Sequence, residues 1–456
     1  AAATYSIPRS LRFNSSDSAY LSRTPASAGS QTTWTFSSWF KLSDLSGSSQ
    51  ILFCAASGSM QITLAQALYF GSSAQSYRST AAVFRDPSAW YHLVVAINTS
   101  SATEASRARL YINGAEIVTW ASYNNITQNQ TFGNDATSHR IGSGSAAYYF
   151  SGYLADIHFI DGQALTPSSF GQFDTNGVWQ PIAYSGTYGT NGFHLPFSDN
   201  SAATATTLGK DTSGNSNNWT PNNLSVTAGA GNDSLVDSPT NGTASSGGDA
   251  GGTVVGNYAT LNPLIPPRPS FSRVISNGNL DTTLTFYRDF ASEVAVSDFE
   301  VCSGKWYVEF TPTTVGGGVY SLGVGMVRTA DINSLSFHMG SVQYGYGWSS
   351  NGFVYNNNVD SGIRYAYAAG DTLMMAVDFD NGKLWFGANG TWINSGNPAS
   401  GTNAIYTNVS SSQPVAFGLS VYSSSNANFF SVSGSVNFGQ RPFAYAAPAG
   451  FKSLNT

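Results

Sequence analysis

Residues 109–118 read RLYINGAEIV, and residues 371–386 read DTLMMAVDFDNGKLWF. In the first, two apolar runs flank Asn113-Gly114; in the second, two flank Asp380-Asn381-Gly382. A dipeptide of this kind between apolar runs is the strongest short-range sign of a β-hairpin, because Asn and Gly tolerate the positive φ that a tight turn imposes. The two stretches predict antiparallel sheet in each half of the chain.

Other strands surround the first hairpin. Trp34, Phe36, Ser38 and Phe40 alternate with Thr35, Ser37, Trp39 and Lys41, a period of two. Residues 90–97 (WYHLVVAI) form an apolar run of strand length, suited to a sheet covered on both faces. His139–Ile141 and residues 153–160 follow. Around the second hairpin, residues 305–310 (KWYVEF), Tyr320–Val327, 415–421 and 436–438 read as strands. Short strands separated by Gly/Asn turns predict sandwiches or jelly rolls. Thr166-Pro167 reads as the N-cap and first residue of a short helical turn.

Composition agrees. The chain has 456 residues, a length that suggests two to three domains. It carries 19 basic and 25 acidic residues, 10% charged, against roughly 25% in an ordinary soluble domain. Gly 47, Phe 28, Tyr 24 and Trp 10 are abundant, which favours strands and turns over helical bundles or coiled coils. The net charge of −6 leaves no basic footprint for nucleic acid or an anionic membrane. The N-terminal residues carry no apolar signal core, and no stretch has the length for a membrane-spanning helix. Cys54 and Cys302 fall in different predicted domains and read as two thiols without a disulfide.

Between the two strand-rich regions, residues 176–270 are dominated by Gly, Ser, Thr, Asn and Ala, the composition of a linker. Residues 192–197 (GFHLPF) read either as one more strand of the first sandwich or as extended linker. The expected organisation is an arm over residues 1–10, a first sandwich with a trailing strand over 11–200, a linker over 201–270 and a second sandwich over 271–456.

The order LRFNSSDSAYL, WTFSSWFKL, WYHLVVAI, ARLYINGAEI, HRIGSG and FSGYLADIHFIDGQALTPSSF resembles a laminin-G-like, concanavalin-A-like jelly roll. SGKWYVEF, GYGWSSNGF, AGDTLMMAVDFDNGKLWFGANGTW and VNFGQRPF resemble a SPRY domain. The linking runs GNDSLVDSPTNG and GNYATLNPL, and the combined order, resemble tailed-bacteriophage virion proteins. That resemblance implies a protein of the virion surface, on the tail or the capsid. Its implied partners are other virion subunits and a host-surface glycan or protein, with homo-oligomerisation in the virion. Tail fibre or receptor-binding protein is the first expectation, and capsid fibre, knob or decoration protein the second. A secreted glycan-degrading enzyme is the third and weakest.

Catalytic chemistry is sparse. Sandwich glycosidases need two carboxylates roughly 5–10 Å apart, and the chain has only five Glu. Asp298 and Glu300 would share a strand face, while Asp378 and Asp380 bracket a turn. The histidines, His92, His139, His158, His194 and His338, are isolated, and no Cys/His spacing suits zinc. No enzyme, cofactor or metal is expected. The laminin-G resemblance leaves calcium open, with Asn14, Asp17 and Asp156 as oxygen ligands. Aromatic residues carry the binding expectation. Tyr344, Tyr346 and Trp348 alternate with Gly345 and Gly347 and share one face. Trp348 is expected to pack inward. Tyr355 and Trp392 lie in neighbouring loops, and Tyr148 and Tyr149 in a loop of the first sandwich.

Overall fold

The computed structural model describes residues 5–144, 147–240, 249–286, 292–317, 320–423 and 429–455. Its strands are antiparallel, and every helical element among the described residues is a 3-10 turn. The fold is all-β and divides into two units, residues 1–241 with 255–257, and 242–254 with 258–456.

The first unit is a sandwich of two eight-stranded sheets. One runs in the order Ala115–Glu116, Ala108–Ile112, Tyr91–Asn98, Thr33–Leu42, Gly152–Asp161, Ser10–Phe13 and Ser234–Leu235. Phe193–Leu195 also pairs with Gly152–Asp161, so the stretch read as strand or linker is a strand. The other runs Trp120–Tyr123, Ser76–Val83, Ala67–Gly71, Gln61–Ala65, Gln50–Ala55, His139–Ile141, Tyr20–Arg23 and Thr220–Asn222. Between them lies a core that includes Trp34, Phe36, Phe53, Leu93, Val95, Phe159 and Trp219. The opposite face of the first sheet is covered as well. Val94, Ala96 and Ile160 pack under Phe170, with Leu165, Tyr184 and Tyr188 beside them. This second layer is why residues 90–97 are apolar on both faces.

Asn113 and Gly114 have φ of 48° and 81°, the positive pair required by a two-residue hairpin. The second hairpin differs. Asp378 and Lys383 are directly opposite, so four residues form its connection, and of these Gly382 alone has positive φ, at 63°. Asp378 holds that turn by accepting bonds from the Asn381 backbone N–H at 3.0 Å and side-chain amide at 2.8 Å.

The expected linker over 201–270 is corrected. Thr220–Asn222 joins one sheet and Ser234–Leu235 the other, while Tyr258 and Leu261 are buried in the second unit. Few apolar residues anchor this stretch, chiefly Leu208 and Trp219 in the first unit. Side-chain bonds to backbone do the rest. Asp211 accepts from the N–H groups of His194, Ser213 and Asn217, each at 2.8 Å. Asn215 and Asn217 donate to the Gly192 carbonyl at 2.9 and 2.8 Å. Asn, Asp and Ser that read as flexible are the residues that order a turn-rich chain.

The second unit pairs a seven-stranded sheet with a six-stranded one. The first runs Phe271–Ser276, Asp281–Phe286, Phe430–Asn437, Lys305–Thr314, Leu373–Asp378, Lys383–Ala388 and Thr391–Trp392. The second runs Glu293–Val296, Ala416–Ser423, Tyr320–Val327, Tyr346–Ser349, Phe353–Asn356 and Val359–Arg364.

Candidate functional site

The aromatic stripe of the second unit does not form a platform. Trp348 is fully buried, donates its indole N–H to the Tyr365 carbonyl at 2.8 Å, and packs on Tyr367 and Phe386. Tyr346 is 4% exposed and meets Tyr406 edge-on. Tyr344 is half-buried beneath the Arg328 guanidinium, 4.8 Å from its ring centre. The glycine side of the strand is covered too. A Cβ on Gly345 or Gly347 would run into Met339, Gly340 or Val342. The bare face exists to seat that turn.

Tyr355 and Trp392 were expected in one contact region. Tyr355 lies in the six-stranded sheet, half-buried and stacked on His338 at 4.1 Å. Trp392 lies at the edge of the seven-stranded sheet, packed against Tyr307 and its cluster. The two rings belong to different sheets, and each leans on its own neighbours.

Tyr148 is different. It is 61% exposed and has φ of 65°. A bulky side chain in the left-handed region costs roughly 1–2 kcal/mol. Two backbone bonds hold it there, Ile51 N–H to the Tyr148 carbonyl at 3.0 Å and Gly144 N–H to the Ala147 carbonyl at 2.9 Å. The ring stands at the rim of an open groove of about 410 Å³ on the outer face of the second sheet. Ser49, Gln61, Thr63 and Ser73 line the groove with hydroxyls and an amide. Gln61 and Thr63 point outward because Ile62 and Leu64 of the same strand fill the core. Tyr149 turns away, half-buried, its ring 6.3 Å from Tyr20.

The structure also assembles polar groups that the sequence keeps apart. Ser37 Oγ lies 2.9 Å from His92 Nε2, a spacing that suggests a nucleophile and its base. The third partner excludes that role. The Trp179 indole N–H, which can only donate, points at His92 Nδ1 at 3.0 Å. The His92 proton is therefore on Nε2, directed at Ser37, and no lone pair is left to take the serine proton. Asp298 and Glu300 lie beyond the strand that ends at Val296. The Asp298 carboxylate accepts from Thr260 and the Glu300 carboxylate from Thr329.

His92 has a consequence for acid stability. Burial pushes its pKa down to about 3, whereas an unfolded imidazole titrates near 6.5. Between those values the unfolded chain binds a proton that the folded chain does not. The contribution is complete above pH 6.5 and is lost as pH falls toward 3, at up to about 1.4 kcal/mol per pH unit. Burial shifts His158 in the same direction. Urea midpoints followed by tryptophan fluorescence should therefore be lower at pH 5 than at pH 7, and equal midpoints would contradict this account.

The remaining cluster is Asp156, His158 and His194, whose ligand atoms lie within 4.8 Å of one another. Asp156 occupies a β-bulge at φ 49° between Ala155 and His158. The extra residue lets Leu154 and Ile157 both face the core while His158 faces outward. His194 is directly opposite His158 across the strand pair, and the rings stack at 4.1 Å. Asp156 Oδ1 lies 2.8 Å from His194 Nε2 and accepts the Tyr5 hydroxyl at 2.7 Å. Burial opposes the Asp156 charge, yet the His158 and His194 imidazoles outweigh it and hold the carboxyl well below the usual carboxylate range. The residues expected for calcium have separate contacts. Asn14 donates to Asp17 at 2.9 Å on the surface, and the Asp156 carboxylate is engaged by Tyr5 and two imidazoles. Among the described residues, neither Asn14 nor Asp17 reaches that group.

Comparison with known proteins places the first unit. A family model described as the concanavalin A-like lectin/glucanases superfamily matches residues 14–170. No curated protein matches the chain. Among solved structures, the SPRY domain of human HERC1 is 15% identical, with 38% of this chain and 96% of that chain covered and a TM-score of 0.27. A putative carbohydrate binding protein from Bacteroides ovatus is 15% identical over 48% of this chain and 59% of its own, with a TM-score of 0.32. Domain 4 of AbnA, an extracellular arabinanase from Geobacillus stearothermophilus in complex with arabinotriose, is 21% identical over 32% and 68%, with a TM-score of 0.24. The jelly roll expected for the first region accordingly coincides with a concanavalin-A-like family match.

Proposed function

We propose that this chain is a non-enzymatic binding protein, and that the groove beside Tyr148 holds a surface glycan. One observation carries the reading. A tyrosine is kept exposed, in a costly backbone conformation, at the rim of a groove lined by hydroxyls and an amide. Strain of that kind persists where surrounding structure enforces it, and it clusters at ligand sites. An aromatic face stacks on sugar C–H groups while Gln61, Thr63 and the serines supply hydrogen bonds. The tautomer of His92 and the separate engagements of Asp298 and Glu300 support the absence of hydrolysis.

The resemblance of the linking runs to tailed-phage virion proteins supports a finer reading, a tail fibre or receptor-binding protein that meets a host surface. Placement on the capsid as a fibre, knob or decoration protein is the alternative. Electron microscopy of virions labelled against this chain separates the two.

The groove is tested with immobilised bacterial surface polysaccharides. Tyr148→Ala should weaken binding about tenfold, near 1.4 kcal/mol, without lowering the melting temperature. Tyr148→Gly should also lose binding while holding or raising the melting temperature, because glycine adopts positive φ without strain. No reducing ends should appear on incubation. Binding unchanged in both variants would remove Tyr148 from the site.

A further inference from the structure

We propose that Asp156, His158 and His194 form a site for a zinc-class divalent cation that staples the trailing strand Phe193–Leu195 to the Gly152–Asp161 strand. The donor set is two imidazoles and one carboxylate, which suits zinc and its borderline neighbours and not calcium, a cation that takes oxygen ligands.

Three observations converge. His158 and His194 are cross-strand partners, so both rings leave adjacent backbones in the same direction. The bulge at Asp156 supplies the third ligand to the same side of the sheet. The spacing is close to what coordination needs. Asp156 oxygens lie 2.8 Å from His194 Nε2 and 3.3 Å from His158 Nε2, and ligand atoms around a tetrahedral zinc with bonds of about 2.0–2.1 Å are roughly 3.3 Å apart. His158 Nε2 faces the Asp156 carboxylate from a side chain only 3% exposed.

The surroundings fit as well. Coordination uses the Nε2 lone pairs, so each ring must carry its proton on Nδ1. There the Tyr188 hydroxyl stands 3.0 Å from His158, and the Thr212 hydroxyl 2.8 Å from His194. Metal-bound histidines almost always donate their second N–H to an oxygen acceptor, and each hydroxyl here offers one. Tyr5 completes the outer layer on Asp156. His194, 16% exposed at its side chain, provides the way in for the ion and for water as a further ligand.

The test uses the full chain without a polyhistidine tag, treated with a chelator and dialysed against micromolar Zn²⁺ or Co²⁺. Uptake of one ion per chain is expected, with a rise in melting temperature that excess Ca²⁺ does not reproduce. His194→Ala should weaken uptake about 100-fold and abolish the rise, and Thr212→Val should weaken it about tenfold. His338→Ala, in the other unit, should leave it unchanged. No uptake by the unaltered chain overturns the proposal, as does equal uptake by His194→Ala. If His194→Ala does not fold, affinity unchanged in Thr212→Val, an alteration at the surface, overturns it.

Discussion

Replacing Asp237 by Ala is expected to destabilise the first unit by about 3–5 kcal/mol, the usual consequence of removing one partner of a buried ion pair. Lys41 Nζ lies 3.1 Å from Asp237 Oδ2 and 2.9 Å from Asn257 Oδ1, and both charged side chains are 0% exposed. The other Asp237 oxygen accepts the Trp90 indole N–H at 3.1 Å. Alanine would remove the carboxylate that both the buried Lys41 ammonium and the Trp90 indole N–H reach. For a unit of this size the melting temperature should fall by roughly 6–20 °C. The double change Lys41→Met with Asp237→Leu should restore most of the loss, since the desolvation cost goes with the charges. A single variant that melts with the unaltered protein would show that solvent reaches the pair. Cutting the chain after residue 228 should be worse, because it also removes Asp233, which binds the buried Arg12 guanidinium at 3.0 Å.

The second large effect is expected at Trp348→Ala, about 3–5 kcal/mol for deleting a buried tryptophan. The ring is enclosed by Tyr367 at 4.7 Å and Phe386 at 5.6 Å, and its N–H bond to Tyr365 ties the strand to the loop beyond Arg364. Tyr355→Ala, by contrast, removes a half-buried ring from a stack on His338 and should cost about 1 kcal/mol. Calorimetry of the two variants gives the order directly. A smaller loss for Trp348 than for Tyr355 would invert the account of this sheet.

These expectations show what the sequence made legible. Hairpins were readable because Asn113-Gly114 and Asp380-Asn381-Gly382 act locally, whatever the rest of the chain does. Strands with an apolar run or a clean alternation were readable for the same reason. The region after residue 200 was misread because its order depends on polar side chains that bind backbone, with Leu208 and Trp219 as sparse anchors. Its run GNDSLVDSPTNG, which resembled a linking segment, supplies Asp233 and Asp237 as partners for two buried cations. The Asp156, His158 and His194 group was invisible because register, a bulge and a trailing strand bring it together. Sequence spacing alone left every histidine isolated. Tyr148 was named from the sequence as a loop aromatic, but neither its backbone strain nor the groove beside it has a sequence signal.

The strand Ser10–Phe13 has two neighbours, Gly152–Asp161 and Ser234–Leu235, both encoded far downstream. During synthesis this becomes a matter of waiting. Arg12 and Asp233 are 221 residues apart, and at about 5–20 residues per second a ribosome needs roughly 10–45 s to cover that distance. For all that time Leu11 and Phe13 belong to a strand with at least one open edge, the kind of segment on which nascent chains pair wrongly with each other. The guanidinium between them is a gatekeeper in that interval, since a charge within a short apolar strand opposes stacking with its copies. The residue that closes the finished sheet through Asp233 thus has an earlier task, to keep the newborn strand solitary until its partner emerges.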